Sequence, residues 1–204
     1  MHDTEQRIAR NIERSLAEQG FAEQGVEALR AEADVSLRTL YKYFPSREAM
    51  IVGALEYRDR AYSAWLDGGP EEGLEHVLHP LVRLGEWLEE VANTGCLFFT
   101  ALSEYPESEA IATVARAHKG RIAEEFTRRL DRVCPGRENG DLADALLMLH
   151  EGMTQTARLW GRERATRIAL EAARAVLADE GIGVGSGARP GAGEAAGRPE
   201  GGAA

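Results

Sequence analysis

Ser36-Leu37-Arg38-Thr39-Leu40-Tyr41-Lys42-Tyr43-Phe44-Pro45-Ser46-Arg47-Glu48 divides its residues between two jobs. Leu37, Leu40, Tyr41 and Phe44 recur at i, i+3, i+4 and i+7, the spacing of one helix face, and are expected to turn inward. Arg38, Thr39, Lys42 and Tyr43 remain for the opposite face. They are hydrogen-bond donors and one aromatic, suited to phosphate oxygens and base edges. Ser36 can cap the helix by accepting from an orphan N–H of the first turn. Pro45 ends it, because proline disfavours helical geometry in the preceding residue. Ser46 then caps a further helix whose first turn holds Arg47 and Glu48 and whose free N–H groups offer a second phosphate contact.

Working outward, Val26, Leu29 and Ala33 mark a short helix, and Asp34-Val35 breaks it just before Ser36. Two short helices joined by so tight a turn make a helix-turn-helix, in which the second helix enters the major groove. Upstream, Ile8, Ile12, Leu16 and Phe21 line a helix that stops at Gly20, a suitable residue for the left-handed position after a helix. The first sixty residues thus read as a three-helix module leading into a fourth helix.

This N-terminal region resembles the DNA-binding domain of the tetracycline-repressor (TetR) family of bacterial transcription regulators. The resemblance is carried by Gly20-Phe21, Ala33, Val35-Ser36, Thr39-Leu40-Tyr41, Tyr43-Phe44 and Ser46-Arg47-Glu48 at family spacing. A fainter likeness lies in Gly95-Cys96-Leu97-Phe98 and Glu104-Tyr105-Pro106, which resemble a segment of the ligand-binding domains of one subset of these regulators. The chain departs from the pattern at Gln24-Gly25, where the family usually has two threonines, at Leu29-Arg30 for Ile-Ala, and at Asp34 for glycine. Aspartate tolerates left-handed geometry better than most residues, though less freely than glycine.

The 204 residues suffice for one or two compact domains, and with 6% aromatics, helix is the dominant signal. A net charge of −10 excludes a general nucleic-acid coat. Ser36 to Arg47, however, holds Arg38, Lys42 and Arg47 with no carboxylate. Two cysteines, Cys96 and Cys134, with no CxxC pair and no secretory signal suit a reducing cytoplasm, and no apolar run approaches a membrane span.

The chain is expected to be all-α: a helix-turn-helix DNA-binding domain over 1–46, a helical effector-binding and dimerisation domain over 47–182, and a disordered Gly/Ala-rich tail over 183–204. Helix four should run from Arg47 to about Trp65, with breaks at Asp67-Gly68-Gly69-Pro70, Asn93-Thr94-Gly95 and 135–140. The stretch Ala145-Leu146-Leu147-Met148-Leu149 is apolar nearly all round. With Ala169, Ala172, Ala173 and Val176 of the last helix, it either packs across a two-fold axis as half of a four-helix bundle or closes the subunit's own core. The two-fold dimer is what the resemblance implies.

No convergent set of nucleophile, base or metal ligands points to an enzyme, a cofactor or a metal. His150-Glu151 opens like HExxH, yet Thr154 stands where the second histidine should be. His76 and His79 lack a third ligand and read as ordinary helix histidines, and Cys96 as a small buried hydrophobe. The resemblance implies a palindromic operator and a small-molecule effector bound among the helices of the second domain. It directs attention to Trp87, Phe98, Phe99, Leu102, Tyr105, His118, Ile122 and Met153, a set suited to an apolar or aromatic effector, each of which has core filling as its alternative role. On the DNA side Arg38 and Thr39 are assigned to base edges, and Tyr41, Lys42, Tyr43 and Arg47 to phosphates, with Ser36 at the cap. The competing class is an all-helical small-molecule-binding protein whose helix-turn-helix serves protein contacts.

Overall fold

The structure, a computed structural model, describes residues 3–22, 24–91 and 95–183. Asn93 and Thr94 of the expected break, and the expected tail from residue 184 onward, lie outside the described residues. Among the described residues there are nine helices and no strand: α1 (Asp3–Gln19), α2 (Val26–Ala33), α3 (Leu37–Tyr43), α4 (Arg47–Leu66), α5 (Gly73–Glu90), α6 (Leu97–Glu104), α7 (Glu109–Val133), α8 (Gly140–Trp160) and α9 (Arg162–Asp179). The all-α expectation holds.

The helix ends form where the local chemistry places them. Gly20 has φ +80° and returns its N–H to Leu16, ending α1. Ser36 Oγ accepts from Thr39 N at 3.1 Å and Ser46 Oγ from Ala49 N at 3.0 Å, satisfying N-terminal donors of α3 and α4. Asp34 is the one described non-glycine residue with positive φ, at 51°, and it makes the tight turn between α2 and α3.

The apolar residues gather in two clusters. Ile8, Ile12 and Leu16 of α1, Leu29 of α2, Leu40 of α3 and Met50, Ile51 and Leu55 of α4 make the first, which we call the head. Leu97, Phe98 and Ala101 of α6 and Ile111 of α7 join it. The second, the body, takes Tyr62 and Leu66 of α4, Leu78, Leu81 and Trp87 of α5, and the inner faces of α7, α8 and α9. Helix α4 therefore belongs to both cores.

The inward face of α3 differs from the one its spacing suggests. Leu40 and Phe44 are buried, but Leu37 is 38% and Tyr41 43% exposed, while Tyr43 packs partly on the head. In a helix of seven residues only about one position in four can face a single direction, and here the head lies on the Leu40–Tyr43 side, leaving Leu37 and Tyr41 past its edge.

Pro80 sits inside α5 and has no N–H to return to His76, four residues earlier. The carbonyl is not orphaned: Arg129 of α7, 1% exposed, donates to His76 O at 3.0 Å, and also to Gly68 O at 3.1 Å and Leu66 O at 3.3 Å. Its Nε meets Glu125 at 2.6 Å. One buried guanidinium thus closes the broken ladder of α5 and the end of α4.

Two glycine-to-alanine changes should have opposite signs. A Cβ on Gly53 would stand 2.3 Å from Phe44 Cε1, so Gly53→Ala must displace the ring that seals α3 on α4, and should destabilise by about 1–3 kcal/mol. Gly120 lies in the exposed interior of α7 with nothing within 4 Å of an added Cβ, so Gly120→Ala should stabilise by about 0.5–1 kcal/mol. Urea denaturation midpoints of the two variants check both.

Candidate nucleic-acid interface and interior cavity

On the solvent face of α3, Ser36 Oγ also lies 2.8 Å from Thr39 Oγ1, so the cap holds the threonine at the start of the helix. Arg38 and Lys42 are exposed, and among the described residues neither makes an ion pair; Lys42 Nζ lies 5.3 Å over the Tyr43 ring. Arg30, by contrast, is engaged with Glu27 at 2.9 Å. Tyr41 is exposed beside the two free cations. Arg47, assigned to phosphate on sequence grounds, is turned into the protein: it donates to Phe21 O at 2.6 Å, to Gln24 O at 3.1 Å and to the Tyr105 hydroxyl. Those acceptors bind the α1–α2 turn and the end of α6 to the start of α4, so the guanidinium is held for packing.

Deeper in the chain, α4, α5, α6, α7 and α8 line a small cavity of about 40 Å³ that opens to solvent. Its aromatic wall is Tyr62, Trp87 and Phe98, with Tyr62 edge-on to Trp87 at 5.2 Å between centroids. His118 lies flat against Phe98, centroids 3.8 Å apart.

The polar groups around this cavity are matched in pairs. His150 bridges Tyr62 and Glu151, with Nε2 2.6 Å from the tyrosine hydroxyl and Nδ1 3.0 Å from Glu151. Lys119 Nζ stands 2.8 Å from the same carboxylate and 3.4 Å from Cys96 Sγ. Burial works to raise the pKa of Glu151, but the His150 hydrogen bond and the Lys119 charge outweigh it and bring it down to about 2. An ionised Glu151 can only accept, so His150 Nδ1 carries the proton and Nε2 accepts from Tyr62. Burial also lowers the pKa of His150 and raises that of Tyr62, keeping both neutral.

The second pair joins α7 to α4. His118 Nδ1 lies 2.8 Å from Asp59 Oδ1, and Arg121 Nε reaches the same oxygen at 3.2 Å. Burial opposes the charge on Asp59, yet hydrogen bonds from His118 and Arg121 leave its pKa lowered. His118 is brought down to about 4, chiefly by burial and against the pull of Asp59. It is therefore neutral at pH 7, with its proton on Nδ1. Arg58, also on the cavity wall, forms an ion pair with Glu13 of α1 and lies 5.8 Å from the Trp87 ring centroid.

Of the eight residues singled out for an effector, the structure brings Trp87, Phe98 and His118 together on the cavity wall. Phe99 is exposed, with Lys119 Nζ 5.0 Å from its ring centroid. Leu102 and Tyr105 pack on the head, and Ile122 and Met153 belong to the body core, outside the cavity wall. Sequence reasoning passed over Arg58, Tyr62 and Lys119, and weighed His150 only as a zinc ligand. A signal existed for the first: Arg58 falls in the buried register Ile51, Leu55, Arg58, Tyr62, Leu66, and a charge in an apolar stripe requires a partner.

Residues 8–54 match the family model described as bacterial regulatory proteins, tetR family. The helix-turn-helix module is that of the tetR family, as the resemblance of residues 20–48 implied. Similar solved structures include SCO4454, a TetR-family transcriptional regulator from Streptomyces coelicolor. It shares 23% identity over 86% of this chain and 95% of its own, with a TM-score of 0.77. The reduced form of NemR from E. coli shares 20% over 85% and 97%, at 0.70. EbrR, a multidrug binding protein complexed with malachite green, shares 20% over 86% and 98%, at 0.65. No curated protein matches the sequence. The fold is that of TetR-family transcriptional regulators. No described helix is long and apolar enough to cross a membrane.

The buried histidines set the response to acid. His118 binds its proton at about pH 4 when folded and near its ordinary 6.5 when unfolded, so below pH 6.5 the unfolded chain takes up protons that the folded chain refuses. The stability this group contributes is complete above pH 6.5 and lost as pH falls through 4, an upper bound of about 3 kcal/mol. Glu151 repeats the pattern lower, between 4.5 and about 2. Melting temperature should fall from pH 7 to pH 4, and His118→Gln, which can still donate to Asp59, should flatten the slope. An unchanged slope in the variant would exclude His118 as its source.

Proposed function

We propose that this chain is a cytoplasmic, homodimeric transcriptional regulator, a repressor that leaves a palindromic operator when a small apolar or aromatic effector enters the interior cavity. The observation that carries the reading is the pair of unpaired cations, Arg38 and Lys42, on the solvent face of α3 in a chain of net charge −10. Cations left free on the second helix of a helix-turn-helix are placed for the major groove. Arg38 and Thr39 meet base edges; Lys42, Tyr41 and Tyr43 meet phosphates. Arg47 supports the helix from behind.

Two routes lead from the cavity to the head. Arg58 touches the cavity on one side and Glu13 of α1 on the other. Helix α6 presents Phe98 to the cavity and seats Leu97 and Ala101 in the head core. An effector that favours a different setting of Arg58 or α6 shifts the head by as much as it prefers that state, and no further. The malachite green bound by EbrR supports an aromatic occupant for a chain of this fold. The dimer is supported by Met148 and Leu159, 75% and 79% exposed one above the other on α8. Ala169 and Ala173 of α9 face the subunit's own core, so the contact with a second copy falls to the other side of α8 and α9.

Selection from a random DNA pool should enrich a palindrome, bound much more tightly than a scrambled duplex at both low and high salt. Arg38→Ala should cost about 1–3 kcal/mol on that palindrome and relax one position, whereas Lys42→Ala should weaken all duplexes alike. Equal losses on every duplex in both variants would sink the assignment. Met148→Glu with Leu159→Glu should convert the dimer to a folded monomer in size-exclusion chromatography; a wild-type monomer would remove the dimer from the reading.

A further inference from the structure

His118 is 5% exposed and stands in the cavity wall with its Nδ1–H committed to Asp59. Its other ring nitrogen, Nε2, has no hydrogen-bond partner among the described residues. Because the ring is neutral at pH 7 with its proton on Nδ1, Nε2 is a bare acceptor. An acceptor left open on the cavity wall gains a hydrogen bond from an occupant that supplies the donor.

The charges around the cavity constrain the occupant further. Lys119 is matched by Glu151, Arg58 by Glu13, and Arg121 by Asp59. Each cation already has its anion. A charged ligand would therefore add a net buried charge with no counter-ion waiting for it. The remaining wall is mostly apolar, with the rings of Tyr62, Trp87 and Phe98 beside Leu84, Leu88 and Leu97. Together these groups ask for a flat, neutral ring system that carries one hydrogen-bond donor.

We propose that the cavity binds a neutral hydroxylated aromatic of the phenol class, its hydroxyl donating to His118 Nε2 and its ring against Tyr62, Trp87 and Phe98. This rests on the reading of the cavity as the effector site. His118 acts as the specificity-determining residue, and Asp59 as the positioning residue that fixes its tautomer. The hydroxyl, and not ring area alone, sets the affinity.

The probes are 2-naphthol, its methyl ether 2-methoxynaphthalene, and 2-naphthoate, each titrated calorimetrically into the full chain at pH 7. The wild type is expected to bind 2-naphthol about tenfold more tightly than either of the others, and His118→Phe to lose the preference over the ether. Equal affinities in the wild type, tighter binding of 2-naphthoate, or a preference that survives His118→Phe would overturn the proposal. If His118→Phe does not fold, the ¹⁵N resonance of His118 Nε2 in the wild type decides: it should move with 2-naphthol and stay with the ether, and the reverse overturns the proposal. Operator affinity with and without 2-naphthol is measured separately. Tight, hydroxyl-dependent binding that leaves operator affinity unchanged would uphold this site and remove its regulatory role.

Discussion

The rest of the structure depends on one helix being shared by two cores. Helix α4 has 20 residues, about 30 Å of rod. Its first half, through Met50, Ile51 and Leu55, closes the head; its second half, through Tyr62 and Leu66, is built into the body. Between these halves sit Arg58 and Asp59, buried charges whose partners lie on α1 on one side and on α7 on the other. A rigid rod with both ends packed cannot tilt in one core without disturbing the other, because close-packed side chains shift between discrete arrangements and do not yield gradually. This is the physical basis on which events in the body can reach α3.

The interior of this protein is polar around that rod, and this is tolerated because the charges are matched. Tyr62, His150, Glu151 and Lys119 make one set of hydrogen bonds across α4, α7 and α8, and Asp59, His118 and Arg121 make a second between α4 and α7. Arg129 performs the same service at the α4–α5 turn, where Pro80 has removed a helical donor. Replacing any one member would leave its partner buried and unsatisfied, which costs more than the pair contributes. Such networks specify one packing arrangement over others as much as they stabilise it, and around a cavity they also fix which hydrogen-bonding positions stay open.

Much of the fold could be read from residues acting locally. Ser36, Ser46 and Gly20 cap or end helices through contacts within four residues, so their positions follow from the chain itself. The span of α4 fell within a residue of the one read from the sequence, because the Ser46 cap and the Asp67-Gly68-Gly69-Pro70 break fix its two ends. The inward face of α3 was less legible. With only seven residues, the direction of burial was decided by where α1, α2 and α4 met it, and Leu37 and Tyr41 were left outside.

By itself, then, the sequence determined the helical class, the helix-turn-helix with its caps and its Asp34 turn, and the concentration of basic charge on α3, since these depend on near neighbours and on period. Only the tertiary structure decided that Arg47 is held inside while Arg38 and Lys42 stay free, that Tyr105 and Leu102 serve the head, and that Tyr62, Lys119 and His150 meet Trp87 and His118 around one cavity. Those groupings join residues separated by as many as 88 positions, as Tyr62 and His150 are, and no local preference encodes such a meeting. It arises when helices find the one packing that buries their apolar faces and leaves each buried charge with a partner.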